Sequence, residues 1–144
     1  MALLQAREVA MRLFRPMLAD HDLSEQQWRV LRALAASTET LEVGELAART
    51  FLLAPSLSRI LANLEGRNLV VRWTAPQDQR RSLIELSEEG VGLVEAVGPL
   101  SEAIYNTIED EFGPERLDRL LTELHELAEL QTTIANTGSL KAAS

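Results

Sequence analysis

A chain of 144 residues, 46% hydrophobic and 25% charged, fits one globular domain and leaves no room for a second domain of ordinary size. The absence of cysteine excludes thiol catalysis, thiolate metal sites and disulfides. The two histidines, His21 and His125, belong to no metal-binding motif, so we expect neither a metal nor another cofactor. The formal net charge of −8 argues at first against a nucleic-acid partner, because polyanions repel an acidic protein.

The first 20 residues predict an amphipathic helix rather than a membrane segment. Arg7, Glu8 and Arg12 interrupt its apolar pattern, and no stretch of the chain reaches the roughly 18 apolar residues of a membrane span. We therefore expect a soluble, cytoplasmic protein, with this first helix ending near Asp20. The apolar residues of the helix recur at every third or fourth position: Leu3, Ala6, Ala10, Leu13, Phe14, Met17 and Leu18.

Three further helices are predicted between residues 24 and 68. Ser24 and Gln27 form a capping box that begins the second helix, and a short third helix covers residues 43–49. Pro55 lies in the first turn of a fourth helix, which Asn68 closes in a left-handed conformation. The second helix has the buried stripe Trp28, Leu31, Leu34 and Ala35, and the fourth has Leu57, Ile60, Leu61 and Leu64.

The pattern then changes from helix to strand and back to helix. Residues 69–73 and 82–86 predict a β-hairpin whose tip, residues 74–81, contains two adjacent arginines. Ser87 caps a long helix that ends near Phe112, and a last helix ends near Thr133. The remaining residues, 136–144, are small or polar and are predicted to fray.

The positive charge of the chain is concentrated in one middle segment, residues 49–81. Residues 1–48 carry a net charge of −2 and residues 82–144 carry −10, whereas residues 49–81 carry +4. The basic residues of this middle segment are all arginine: Arg49, Arg59, Arg67, Arg72, Arg80 and Arg81. Because these arginines are clustered, the net charge of −8 does not exclude nucleic acid as a partner.

The order of the predicted elements is that of a winged helix-turn-helix: short helices, a turn, a further helix, and an arginine-bearing hairpin. The outward face of the fourth helix is small and carries no acidic residue, so it can enter the major groove of DNA. The alternative is an ordinary surface helix, which would more often carry Glu and Lys. The predicted DNA-contacting residues are Pro55, Ser56, Ser58, Arg59 and Asn63 on the helix, with Asp78, Arg80 and Arg81 on the wing.

The chain resembles the MarR family of dimeric winged-helix transcriptional regulators over nearly its whole length. The most specific part is the wing stretch DQRR at 78–81 followed by LSEEG at 86–90. Asn68 departs from the family pattern, where glycine is usual, and Gly66 stands where a charged residue is common. The other matching stretches are LSEQQWRVLRAL at 23–34, VGELA at 43–47, residues 55–65, and NLV at 68–70.

Within that family, residues 3–8, 14–16 and 25–29 are similar to the regulators of homoprotocatechuate (4-hydroxyphenylacetate) degradation operons. This second resemblance implies a small aromatic acid as effector. An arginine fork beside an aromatic surface suits such a ligand. The predicted effector-binding residues are Gln5, Arg15, His21, Trp28 and Arg32. The alternative is that Trp28 belongs to the core, that the arginines pair with Glu8 or Glu25, and that His21 is a turn residue.

These observations predict a mainly helical protein with a small β-hairpin wing. Residues 22–87 form the DNA-binding region, and residues 1–20 and 88–134 form helices whose apolar stripes meet in a homodimer on palindromic double-stranded DNA. The alternative is a helical cap within a monomer. The predicted function is a transcriptional regulator, a repressor released by an aromatic acid; the alternative is a winged-helix module that binds another protein. No catalytic constellation is present, so we predict that the chain is not an enzyme.

Overall fold

The computed structural model describes residues 1–141, with side chains described for residues 1–130. Its six helices and three strands divide into two units, Met1–Ile104 and the residues from Tyr105 onward. The elements in chain order are α1 (Ala2–Ala19), α2 (Glu25–Ala35), β1 (Leu41–Glu42), α3 (Val43–Thr50), α4 (Ala54–Gly66), β2 (Val70–Ala75), β3 (Asp78–Leu86), α5 (Glu88–Phe112) and α6 (Pro114–Lys141).

The caps predicted from the sequence form as expected. Ser24 and Gln27 complete the capping box of α2, and Ser87 Oγ accepts a hydrogen bond from the Gly90 N–H at the start of α5. Asn68 has a φ of +56° and closes the turn after α4, which confirms the left-handed conformation. Its short polar side chain makes that conformation tolerable without glycine.

The core of the first unit is built from one face of α2 and one face of α4. Trp28, Leu31 and Leu34 are buried, as predicted, although Ala35 at the end of α2 is exposed. The stripe of α4 is buried in full. On α1 only Phe14 and Leu18 are buried, and Leu3, Ala6 and Leu13 of the apolar pattern are exposed in the single chain.

The wing is a three-stranded antiparallel sheet in the order β1-β3-β2, not a two-stranded hairpin. The sequence analysis missed β1 because two residues are too few to show a strand pattern. The predicted tip, residues 74–81, is also wrong: Ala75 pairs with Asp78, so the turn itself spans residues 76 and 77. Because Thr74 pairs with Ser82 but Ala75 pairs with Asp78, residues 79–81 form a bulge in β3, and Arg80 and Arg81 lie in this bulge without a paired residue on β2.

The last helix is longer than predicted. Its backbone is helical to Lys141, beyond the end that the sequence predicted near Thr133, whereas the fraying predicted for residues 136–144 stays a prediction. No proline follows Pro114, and a single glycine at 138 weakens a helix without stopping it. The rest of the predicted frayed segment, residues 142–144, lies outside the described residues.

Candidate nucleic-acid interface

The outward face of α4 presents polar groups whose position is fixed by the buried face of the same helix. Pro55 lies in the first turn, where its missing N–H costs no hydrogen bond. Pro55, Ser58, Arg59 and Asn63 are exposed, and Ser56 is half-buried. Arg59 forms no hydrogen bond or ion pair with any described residue, so its guanidinium donors are available to an external acceptor.

Asn63 is held by a side chain from α2. Gln27 Nε2 donates a hydrogen bond of 2.7 Å to Asn63 Oδ1, while Gln27 Oε1 accepts from the Ser24 N–H in the capping box. The carboxamide oxygen of Asn63 is therefore engaged, and its NH₂ group remains as a donor. This arrangement suits acceptors such as phosphate oxygens or the major-groove edges of purines.

The two wing arginines have different surroundings. Arg81 donates to the Glu42 carboxylate through Nε at 2.8 Å and through Nη2, and these hydrogen bonds hold the pKa of Arg81 above its usual value. Arg80 is exposed, and its side chain forms no bond within the part of the chain that the structure describes. Asp78 Oδ1 accepts from the backbone N–H of Arg80 at 3.0 Å. The sequence had suggested that Asp78 orients both arginines through a short ion pair, but among the described residues it forms no ion pair with either and instead shapes the start of β3.

The predicted effector residues fall into two groups. Gln5 and Arg15 are exposed on α1, where Arg15 Nη1 and Nη2 bind the Glu8 carboxylate at 2.6 and 2.9 Å. This contact raises the pKa of Arg15 and lowers that of Glu8. His21 Nδ1 lies 3.0 Å from the Met17 carbonyl oxygen and is therefore engaged in the turn after α1. These contacts agree with the alternative in which Arg15 pairs with Glu8 and His21 is a turn residue.

Trp28 and Arg32 form the second group, one helical turn apart on α2. Trp28 is 5% exposed, and its Nε1 has no hydrogen-bond partner among the described residues. Arg32 Nη2 lies 3.8 Å from Glu102 Oε1, so the middle of α5 approaches this part of α2. The neighbouring Ser101 is 1% exposed, and its Oγ also has no partner in the described chain. The sequence analysis missed Ser101 because no local motif marks a lone serine on a helix.

Neither a metal site nor a membrane-spanning helix is found in the described part of the chain. It contains no cluster of three or more His, Cys, Asp or Glu side chains suited to a metal ion. Within the same residues, no helix combines the length and apolarity needed to cross a bilayer.

A helix with a small, basic outward face beside an arginine-bearing three-stranded wing defines a winged-helix DNA-binding protein. Residues 21–81 match the model of the MarR family. The chain is 42% identical over 129 residues to the homoprotocatechuate degradative operon repressor of Escherichia coli, covering 90% of this chain and 86% of that protein. The chain belongs to the MarR family.

Two solved structures are similar over almost the same length. The transcriptional regulator PA4135 has a TM-score of 0.83 and 44% identity, covering 89% of this chain and 93% of that one. NadR in complex with 4-hydroxyphenylacetate has a TM-score of 0.77 and 41% identity, covering 89% and 90%. These comparisons confirm the predicted family and the winged-helix fold. The chain is a transcriptional regulator and not an enzyme, and nothing in the comparisons favours a protein-interaction module.

Proposed function

We propose that the chain is a cytoplasmic, homodimeric repressor that binds a palindromic operator through α4 and the wing and that leaves it when an aromatic acid binds. The observation that carries the DNA-binding part is the exposed, unpaired Arg59 at the centre of an α4 face without acidic residues. In the major groove, Arg59 would donate to O6 and N7 of a guanine. Ser56, Ser58 and Asn63 would bind neighbouring bases or phosphates, with Pro55 allowing close approach of the helix.

The wing arginines would take separate roles. Arg80, exposed and unpaired among the described residues, is the one we place in the minor groove beside the α4 site. Arg81 remains bound to Glu42, so it would fix the wing against α3 and offer at most one further donor to a phosphate. Asp78 supports both through its hydrogen bond to the Arg80 backbone.

Dimerisation would bring two recognition helices to one operator. Many large apolar side chains of α1, α5 and α6 are exposed in the single chain, and an exposed apolar stripe of this kind calls for a partner. A two-fold dimer presents two copies of α4 to half-sites about 34–36 Å apart. The exposed residues are Leu3, Leu4, Val9 and Leu13 on α1, Val91, Leu100, Tyr105 and Phe112 on α5, and Leu120, Leu121, Leu127 and Leu130 on α6.

The effector site that we propose lies where α2 faces the middle of α5. A buried Trp28 N–H and a buried Ser101 hydroxyl without partners each lose roughly 1–3 kcal/mol of hydration that a bound acceptor would restore. Arg32 provides the cation for a carboxylate, which would compete with Glu102 at 3.8 Å. The 4-hydroxyphenylacetate bound by NadR has this chemistry, an aromatic ring with a carboxylate. Gln5, Arg15 and His21 stay predicted effector-binding residues, although Arg15 and His21 already have partners in the Glu8 carboxylate and the Met17 carbonyl oxygen.

Base selection tests the proposed role of α4. The wild-type chain and Arg59→Ala are each used to select duplexes from a random library, with Arg119→Ala on α6 as a control that removes the same charge. We expect Arg59→Ala to lose preference at one base pair per half-site, at a cost of about 1–3 kcal/mol, and Arg119→Ala to retain it. Identical selection profiles for the wild type and Arg59→Ala would refute the assignment.

A further inference from the structure

The turn between α3 and α4, residues 51–53, exposes two large apolar side chains directly before the recognition helix. Phe51 is 87% exposed and Leu53 is 77% exposed. Among the described residues, only Met1 at the chain start is a more exposed large hydrophobic residue. Leu52 between them is half-buried, so the turn presents Phe51 and Leu53 outward from an anchored backbone.

Both exposed residues are locally unfavourable choices. Phe51 adopts φ +53° and ψ +33°, a left-handed conformation in which a side chain crowds the following carbonyl and which glycine adopts freely. Leu53 is the N-cap of α4 and provides no side-chain acceptor, where Ser, Thr, Asn or Asp would cap the helix. Neither side chain is buried, so burial does not offset the left-handed backbone of Phe51 or the missing cap at Leu53. Unfavourable local choices that cluster in this way are typical of functional sites.

Hydrogen bonds to α3 and α2 fix the backbone at the start of the turn. Thr50 is fully buried, and its Oγ1 donates to the Leu46 carbonyl at 2.7 Å. Arg29 Nη1 reaches across from α2 and donates to the Thr50 carbonyl at 3.2 Å. Phe51 and Leu53 are thus presented by a backbone with fixed contacts, which favours a contact of defined geometry.

The sequence on both sides of the turn is basic. No acidic residue occurs between Glu45 and Glu65, whereas Arg49 and Arg59 lie on either side of the turn, and both are exposed. The uncapped N-terminus of α4 adds partial positive charge from its backbone N–H groups. An apolar surface in a positive setting, directly before α4 in the chain, fits a polyanion that also has apolar groups. Duplex DNA offers such groups as the C5-methyls of thymine in the major groove.

We propose that Phe51 and Leu53 contact thymine methyl groups at the edge of the α4 footprint and make T·A pairs preferred there. The proposal rests on the proposed binding of DNA through α4. It adds an apolar specificity element to the polar residues of the recognition helix.

The test removes methyl groups from the DNA and apolar side chains from the protein. A duplex selected by the wild type from a random library is remade with one thymine at a time replaced by deoxyuridine, and affinities are measured by fluorescence anisotropy. At one or more positions per half-site we expect a loss of about fourfold for the wild type, as for one buried methyl group. Leu53→Ser and Phe51→Gly should bind the thymine duplex more weakly and no longer distinguish it from the deoxyuridine duplex.

Thermal unfolding separates this effect from misfolding. Leu53→Ser supplies a helix cap and Phe51→Gly relieves the left-handed conformation, so both variants should unfold at a higher temperature than the wild type while binding DNA more weakly. Leu53→Ala, which adds no cap, is the second variant for affinity. Val71→Ser, which removes an exposed apolar side chain from β2, is the control that should retain the methyl dependence.

Each failure has a distinct meaning. A wild type that selects a duplex but binds its thymine and deoxyuridine forms equally would overturn the apolar contact and leave the proposed DNA binding intact. Methyl dependence that persists in all three turn variants would also overturn it. A wild type that selects no duplex would contradict the proposed DNA binding and the methyl contact together.

Discussion

Arg80 and Arg81 are neighbours in sequence, yet one is unpaired among the described residues and the other is bound to Glu42. Arg80→Ala should weaken the binding of every duplex and reduce the slope of log K against log salt by about one, because one phosphate-neutralising charge is lost. Arg81→Ala should change the slope less, because Glu42 already offsets its charge. Affinity measured at several salt concentrations checks both, and equal slopes for Arg80→Ala and the wild type would refute the role of Arg80.

Replacing Arg15 or Arg32 by alanine removes the same charge from two different places, so the two variants together locate the effector site. Arg15 is bound by Glu8 on α1 and lies 3.6 Å from Glu25 on α2, whereas Arg32 lies one turn from the unpartnered Trp28 Nε1. Titration calorimetry with 4-hydroxyphenylacetate should show binding by Arg15→Ala close to that of the wild type. Arg32→Ala should weaken binding by about 1.5–3 kcal/mol, as for a lost hydrogen bond to a charged group. Loss of binding in Arg15→Ala but not in Arg32→Ala would contradict a site between α2 and α5 and indicate a site on α1.

Residue contacts were predictable only where their partners lie close in sequence. The Ser24–Gln27 box and the left-handed Asn68 follow from local chemistry, and both are present. The Arg81–Glu42 pair joins residues 39 positions apart and depends on β1, so no local pattern predicts it. Phe51 was missed for the opposite reason, since its residue type argues against the conformation it adopts.

At the scale of elements, the start of α5 is attached to the end of α4 by a close backbone contact. Ser87 N donates to the Leu69 carbonyl at 3.1 Å, and Ser87 Oγ donates to the Asn68 carbonyl at 2.5 Å. A Cβ on Gly90 would lie 1.9 Å from the Leu69 carbonyl oxygen, which is too close for any side chain. Because Gly90 has no side chain, the start of α5 can lie directly against the backbone at Leu69, which follows the recognition helix α4.

Replacing either of two glycines of α5 by alanine should change the free energy of unfolding in opposite directions. Gly90→Ala should lower the free energy of unfolding by about 1–3 kcal/mol, because the backbone at Leu69 must move. Gly92→Ala should raise the free energy of unfolding by about 0.5–1 kcal/mol, because it meets no atom within 4 Å and alanine favours helix. Denaturant unfolding measures both. Similar stabilities for the two variants would show that the contact at Gly90 is not tight.

The elements themselves were largely readable from the sequence. Helical spacing of apolar residues predicted α2 and α4 with their buried faces, because each stripe packs into the core of one chain. The apolar stripe of α1 was also predictable, but its burial was not, since Leu3, Ala6 and Leu13 are exposed in the single chain. Strand β1 and the bulge before Ser82 depend on pairing across the sheet, which no local pattern encodes.

The whole molecule is proposed to act as a dimer. The exposed apolar residues of α1, α5 and α6 are numerous enough that the single chain should not persist alone at micromolar concentration. Sedimentation velocity should therefore give a species of about twice the 16.0 kDa chain mass. A single species of 16.0 kDa at that concentration would contradict the dimer and favour a monomer capped by its own helices.

Release of DNA from α4 and the wing by an aromatic acid can be measured on the wild-type chain alone. The affinity of the wild-type chain for a selected duplex is determined by fluorescence anisotropy with and without saturating 4-hydroxyphenylacetate, at constant salt and pH. A coupling of about 1–3 kcal/mol predicts that the acid weakens DNA binding by roughly 5–150-fold. The same affinity with and without the acid would contradict release by an aromatic acid.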